Sequence, residues 1–245
     1  MYNDINIQND RFSASVITCD YIVIDDSGSM DDGVKDEAVR KGLKIIKNRL
    51  TSMEDTTSTR VSRVEFGGSI SATDLVELES FDTEYYAGTS CTRLYDTVCY
   101  LKDQIFNLFD EYSIKKGYKL NINVIFLSDG YDVNSTMSKE DAIRSVAAIK
   151  EKTKASMLFY NIGNSAIDEA RKLGFTVSSL DETEESILQF SEQISQKLVE
   201  SSQSGTTIEA LSKMMSSSSL ATEEYKELME QTTTNDPFKD LFEYV

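Results

Sequence analysis

The chain has 245 residues and a formal net charge of −17, with 42 acidic residues, 25 basic residues and no histidine. This length fits one large domain, or one domain with an appendage. The negative charge argues against nucleic acid and anionic membrane surfaces as partners, because proteins that bind phosphate backbones normally carry a basic patch.

The first residues, Met1 to Asn6, lack the basic and apolar regions of a signal peptide. No run approaches the roughly 20 apolar residues that span a bilayer. The cysteines are odd in number and lack metal-type spacing, which argues against a secreted disulfide framework. We therefore expect a cytoplasmic protein that does not enter a membrane.

Strands and helices are predicted to alternate along the chain. Short apolar, β-rich runs predict strands near residues 19–25, 60–66, 75–78, 120–127, 155–162 and 175–178. Apolar residues at steps of three and four predict helices near 33–53, 94–112, 139–152, 168–173 and 182–202. Gly67-Gly68 separates two strands that should pair antiparallel. The pattern predicts an α/β fold: a mostly parallel six-stranded sheet, one antiparallel edge strand and helices on both faces.

The C-terminal part of the chain is especially acidic. Residues 181–245 contain 14 Asp or Glu and 4 Lys or Arg. Short acidic helices are predicted at 206–215 and 222–231, and the last ten residues are rich in large apolar side chains. Disordered tails usually contain few aromatic residues, so this end either docks on the domain or binds a partner.

Three oxygen-rich segments follow or accompany the predicted strands. The strand ending in Asp25 is followed by Ser27 and Ser29. A later loop, 87–96, contains Thr89 and Thr92, and the fourth predicted strand runs into Asp129. Ligands of open α/β sheets bind at the carboxyl ends of the strands, and hard divalent cations prefer oxygen ligands.

In order and spacing, these segments resemble the metal-ion-dependent adhesion site (MIDAS) of von Willebrand factor A (vWA) domains, over roughly residues 19–199. The resemblance implies a doubly wound, Rossmann-like vWA fold and the metal ligands Asp25, Ser27, Ser29, Thr92 and Asp129. The run from Thr92 to Asp96 favours Thr92, and Thr89 is the competing register. We place the vWA domain at 18–203, between an N-terminal extension, 1–17, and an acidic C-terminal helical tail, 204–245.

The resemblance also implies a function. Mg²⁺, or alternatively Mn²⁺ or Ca²⁺, would be bound and would bridge to an Asp or Glu of a partner protein. The chain would then be a cytosolic adaptor, similar to those in tellurite-resistance-type stress systems with kinase and phosphatase partners, or beside AAA+ ATPases. Acids near the site, Asp26, Asp31, Asp32 and Asp132, suggest a partner surface with basic residues around its acidic one.

Two other functions stay open. A structural assembly subunit could act through its acidic tail, with a vestigial metal site. The strand ending in Asp25-Asp26 superficially resembles that of the haloacid dehalogenase superfamily, Mg²⁺-dependent phosphoryl-transfer enzymes with an Asp-x-Asp motif. Such an enzyme is disfavoured, because Ser27 stands where that motif has its second, acid/base aspartate and there is no P-loop pattern. The absence of histidine removes Ser-His-Asp and Cys-His catalysis. We therefore expect no enzymatic activity.

Overall fold

The structure is a computed structural model and describes residues 5–8, 15–53, 58–89, 91–214 and 216. Contacts divide the chain into residues 1–208 and residues 209–245. Residues 208–214 are helical, within the predicted helix 206–215. The predicted helix 222–231 and the apolar C-terminal end lie outside the described residues. The domain boundaries that the sequence suggests at 17/18 and 203/204 stay a prediction.

Six strands form one sheet in the order β3-β2-β1-β4-β5-β6. They are β1 (Val16–Asp25), β2 (Thr59–Phe66), β3 (Ile70–Ala72), β4 (Lys119–Ser128), β5 (Ser156–Ile162) and β6 (Thr176–Leu180). Only β3 pairs antiparallel among these strands. The predicted mostly parallel sheet with one antiparallel edge strand is thus confirmed.

The central strand β1 is buried on both faces, which explains its nearly continuous apolar sequence. Ile17, Cys19, Tyr21 and Val23 lie in one hydrophobic cluster. Ile22 and Ile24 lie in a second cluster on the opposite face, as alternating side chains of a strand must.

Helices cover both faces of the sheet. They are α1 (Lys35–Thr51), α2 (Leu94–Leu108), α3 (Lys139–Thr153), α4 (Ile167–Leu173) and α5 (Glu184–Ser204). Residues of α2, α3 and α4 join the first cluster, whereas α1 and α5 contribute to the second. The predicted helix 94–112 is α-helical only to Leu108 and continues as a wider π-helical turn, Phe109–Lys115.

The position predicted for the antiparallel strand was wrong. The antiparallel strand is formed by Ile70–Ala72, not by residues 75–78. The backbone turns back directly after β2, where Gly67 N donates to Ser69 O at 3.1 Å, so pairing begins at Ile70. Leu75 and Val76 are buried, which explains their apolar character, but they form only isolated bridges to Ile7 and Val61.

Candidate metal centre

The candidate site lies at the carboxyl edge of the two central strands. β1 and β4 pair in parallel, and they end at Asp25 and Ser128. Their following loops therefore start side by side and bring Asp129 next to the Ser27–Ser29 segment. This is the edge at which open α/β sheets bind ligands.

Asp25 is a fully buried carboxyl group. Its Oδ1 accepts a hydrogen bond from Ser27 N at 2.9 Å, and its Oδ2 accepts one from Ser128 Oγ. Burial raises the pKa of Asp25 to about 6, although the hydrogen bonds from Ser128 and Ser27 lower it. In the part of the chain that the structure describes, no Lys or Arg forms an ion pair with Asp25. Its ionised form would therefore gain from a cation at this place.

The two serines connect Asp25 to Asp129. Ser27 Oγ and Ser29 Oγ are 3.1 Å apart, and Ser29 Oγ donates to Asp129 Oδ1 at 2.7 Å. Because the hydroxyl proton of Ser29 points to the carboxylate, oxygen lone pairs remain available for another ligand.

Thr92 belongs to this group, and Thr89 has other partners. A Cβ on Gly130 would lie 3.5 Å from Thr92 Oγ1 and 3.9 Å from Asp25 Oδ2, which places both atoms beside the same glycine. Thr89 Oγ1 instead donates toward Asp26 Oδ1 at 3.0 Å and accepts from Gly68 N at 2.9 Å. Thr92 Oγ1 and Asp25 Oδ2 therefore lie next to the same glycine, whereas Thr89 Oγ1 is bonded to Asp26 and Gly68.

The oxygens fit a small divalent cation. Mg²⁺ binds oxygen at about 2.0–2.1 Å in octahedral geometry, so neighbouring ligand oxygens should lie about 2.9 Å apart. The contacts of 3.1 Å and 2.7 Å along Ser27, Ser29 and Asp129 lie near this value, but hydrogen bonds have the same length, so the fit rests on the chemistry of the donors. Among the described residues, no three His, Cys, Asp or Glu side chains gather to hold a metal. The candidate set instead combines two carboxylates with three hydroxyls.

Sequence reasoning missed three residues that shape the site. Lys35 Nζ donates to Asp129 Oδ2 at 2.7 Å and to Ser29 O at 2.9 Å. Ser128 binds Asp25, and Tyr85 OH donates to Asp25 O. Ser128 directly precedes Asp129, and Lys35 begins the helix after the Asp25–Ser29 segment, so both are close to residues that the sequence singled out. Tyr85 lies 60 residues from Asp25 in the chain, and no sequence pattern connects it to the site.

The neighbouring acids mostly hold loops in place. Asp32 Oδ1 accepts from Val34 N and Lys35 N at the start of α1, at 3.0 and 2.7 Å. Asp132 accepts from Tyr95 N at 3.1 Å, at the start of α2. The Asp32 and Asp132 carboxylates thus accept backbone N–H groups at the starts of α1 and α2, and they connect these helices to the loops that carry the site.

No protein-family model and no curated protein matches the sequence. Solved structures do match. One is a von Willebrand factor type A protein from Catenulispora acidiphila, with TM-score 0.58, 16% identity and coverage of 75% of this chain and 43% of that chain. Another is the pilus adhesin SpaC from Lactobacillus rhamnosus GG, with TM-score 0.58, 10% identity and coverage of 81% and 32%.

A third similar structure is proximal thread matrix protein 1 from the mussel byssus, solved with a zinc-occupied MIDAS motif. Its TM-score is 0.52 at 13% identity, over 74% of this chain and 48% of that one. This chain thus matches less than half the length of each of the three structures. Within the described residues, none of the helices has the length and hydropathy needed to span a bilayer.

At sequence identities of 10% to 16%, the likeness to the three solved structures concerns the fold alone. The chain has the fold of a von Willebrand factor A domain.

Proposed function

We propose that this chain is a metal-dependent protein-interaction module. A divalent cation, with Mg²⁺ as the best candidate and Mn²⁺ or Ca²⁺ as alternatives, would bind Asp25, Ser27, Ser29, Thr92 and Asp129. It would then bridge to an Asp or Glu of a partner protein. The main support is the convergence of these oxygens from three loops around Asp25, a buried carboxyl group that has no cationic partner among the described residues.

The donor set favours binding of a further acidic group. Two carboxylates can balance a divalent cation, and the three hydroxyls are neutral. Such a cation keeps a strong demand for another oxygen ligand, which a carboxylate of a partner satisfies well. The zinc-occupied MIDAS of the mussel byssus protein supports a divalent cation at the corresponding place.

Exposed apolar side chains around the site support a protein as the partner. The loops that carry the site also carry five large hydrophobic residues that are 41% to 69% exposed: Val34, Tyr86, Tyr131, Val133 and Met137. We call these five residues the apolar rim. Val133 N donates to Thr92 O at 3.0 Å, which places this member of the rim beside a candidate ligand. Exposed aromatic and aliphatic groups at one place are typical of protein interfaces.

The partner would therefore present a carboxylate with apolar side chains around it. Basic residues at its periphery would match Asp31, Asp32 and Asp132. A cytosolic adaptor beside a kinase, a phosphatase or an AAA+ ATPase would suit such a module, and this assignment rests on the sequence resemblance. We assign binding and not catalysis, since a chain without histidine offers Ser27 no evident base.

Affinity capture tests this function. The wild-type chain and Asp25→Ala are used as baits in native lysate, each with Mg²⁺ and with a chelator. We expect a partner that is retained by the wild type with Mg²⁺ and lost with the chelator or with Asp25→Ala. The exposed substitution Asp168→Asn serves as the matched control and should retain it. Capture that ignores both the chelator and Asp25→Ala would contradict the proposal.

A further inference from the structure

Lys35 places a positive charge inside the candidate metal centre. Its side chain is only 8% exposed, and its ammonium group contacts Asp129 Oδ2 at 2.7 Å. It also donates to Ser29 O at 2.9 Å. Two candidate ligands, Ser29 and Asp129, are therefore tied together by a cation that belongs to the chain.

The position of Lys35 is fixed by its surroundings. It is the first residue of α1, and Asp32 accepts its backbone N–H at 2.7 Å. The Asp32 and Glu182 carboxylates lie farther from Nζ, at 3.4 and 3.9 Å, and they are 43% and 61% exposed. Solvent screens these two pairs, so Asp129 is the principal counter-ion.

The two carboxylates of the site, Asp25 and Asp129, differ in whether they have an ion-pair partner. Asp129 is paired with Lys35, whereas Asp25 is buried and has no ion pair among the described residues. Asp25, Asp129 and Lys35 together carry one negative charge when ionised. With a divalent cation added, they would carry one positive charge. Without Lys35 the same set would be neutral.

We infer that Lys35 is a tethered cation that sets the charge of the metal centre. It weakens the binding of a free divalent cation by repulsion, and it leaves the loaded centre positive, so that a partner carboxylate completes the charge balance. Metal and partner would then bind cooperatively. This inference rests on the proposed function and specifies how that site selects an acidic partner.

The test measures Mn²⁺ affinity by electron paramagnetic resonance in the absence of any partner. The variants are Lys35→Gln, Lys35→Met and Lys35→Arg. Lys41→Gln, on the same helix, changes the net charge equally, but Lys41 pairs with Glu37 and Glu184 instead. Circular dichroism establishes which variants are folded, and Lys35→Met, which keeps an aliphatic side chain, is used if Lys35→Gln does not fold.

We expect the neutral variants at position 35 to bind Mn²⁺ at least about tenfold more tightly, because a repulsive charge close to the ion is removed. Lys35→Arg and Lys41→Gln should stay within about threefold of the wild type. The inference is overturned if a folded Lys35→Gln or Lys35→Met binds Mn²⁺ no more tightly than the wild type.

The outcomes separate this inference from the proposed function. If the wild type and Lys35→Gln bind Mn²⁺ equally and Asp25→Ala abolishes binding, the role of Lys35 is contradicted and the metal site stands. If none of the three binds Mn²⁺, both ideas fail. If only Lys35→Gln binds, the inference is supported in its strongest form, since Lys35 then excludes the free ion.

Discussion

Thr89 and Thr92 are three positions apart, yet their hydroxyl groups face different carboxylates. Thr89 Oγ1 lies 3.0 Å from Asp26 Oδ1 and also contacts Gly68 N. Thr89 and Asp26 pack tightly against Gly67, because a Cβ on this glycine would overlap both Thr89 Oγ1 and Asp26 Oδ1. Thr92 is buried beside Gly130 and Asp25. One threonine thus stabilises a turn, and the other remains available as a ligand.

We predict opposite effects for the two alanine substitutions. Thr92→Ala should lower Mn²⁺ affinity by at least about tenfold, corresponding to about 1.4 kcal/mol, and change the free energy of unfolding little. Thr89→Ala should leave Mn²⁺ affinity within about threefold and destabilise the metal-free protein by about 1–2 kcal/mol, because it removes hydrogen bonds of Asp26 and Gly68. Metal titration and urea unfolding measure both. Loss of metal binding in Thr89→Ala alone would show that Thr89 is the ligand.

The sequence predicted which oxygen-bearing residues meet at this sheet edge better than it predicted their charge partners. Asp25, Ser27, Ser29 and Asp129 follow buried strands, and strand order alone brings them to one edge. Whether Thr89 or Thr92 joins them depends on the path of loop 73–93, which has no periodic pattern. The ion pair between Lys35 and Asp129 joins residues 94 positions apart, so no local pattern could reveal it.

At the scale of elements, β1 and β4 are polar at the end opposite the candidate metal centre. Thr18, Asp20, Asn121 and Asn123 are buried there, and Ser201 of α5 joins them. Asn123 Nδ2 donates to Asp20 Oδ1 and Ser201 Oγ, both at 2.9 Å. Among the residues that the structure describes, Asp20 Oδ2 has no hydrogen-bond partner. This cluster fixes the end of α5 on the sheet, and it leaves one carboxyl oxygen unsatisfied.

Asp20 should therefore make stability depend on pH. Burial raises the pKa of Asp20 to about 7, although the hydrogen bond from Asn123 lowers it. An unfolded aspartate has a pKa of about 3.9, so between these values the folded state binds the proton more strongly. The free energy of unfolding that Asp20 contributes should fall as pH rises from about 4 to 7 and then stay level.

We predict that Asp20→Asn is more stable than the wild type at pH 8. The amide keeps an acceptor for Asn123 and has no charge to bury, so the gain should be about 1 kcal/mol or more larger at pH 8 than at pH 5. Urea unfolding at both pH values measures it. Asp168→Asn, at a side chain that is 85% exposed, should show no such difference. A gain of equal size at both pH values would contradict the role of Asp20 ionisation.

The elements themselves were predictable where their patterns are long. The predicted helix near 139–152 corresponds to α3, Lys139–Thr153, which begins with a capping box of Ser138 and Asp141. The short strand β3 was not predictable, because Ile70–Ala72 has only three residues, of which Ser71 is exposed and the other two are half-buried. The more apolar Leu75 and Val76 led to the wrong assignment, because their side chains are buried in the two hydrophobic clusters although their backbone forms only isolated bridges.

At the scale of the whole molecule, the charge of −17 concentrates cations near the surface but does not select a partner. Under the proposed function, selection would depend on the candidate metal centre and on the apolar rim of its loops. The alternative of an assembly subunit that acts through the acidic tail stays open as a prediction, because most of that tail lies outside the described residues. A cytoplasmic location likewise stays a prediction.

The central claim is that five oxygen donors at one sheet edge bind one divalent cation. Electron paramagnetic resonance with Mn²⁺ tests it most directly, because it counts bound ions and detects their displacement by Mg²⁺. We predict one Mn²⁺ per chain that Mg²⁺ displaces, retention in Asp168→Asn, and loss in Asp25→Ala. Binding of Mn²⁺ that is equally strong in Asp25→Ala, or no bound Mn²⁺ in either the folded wild type or folded Lys35→Gln, would contradict the account.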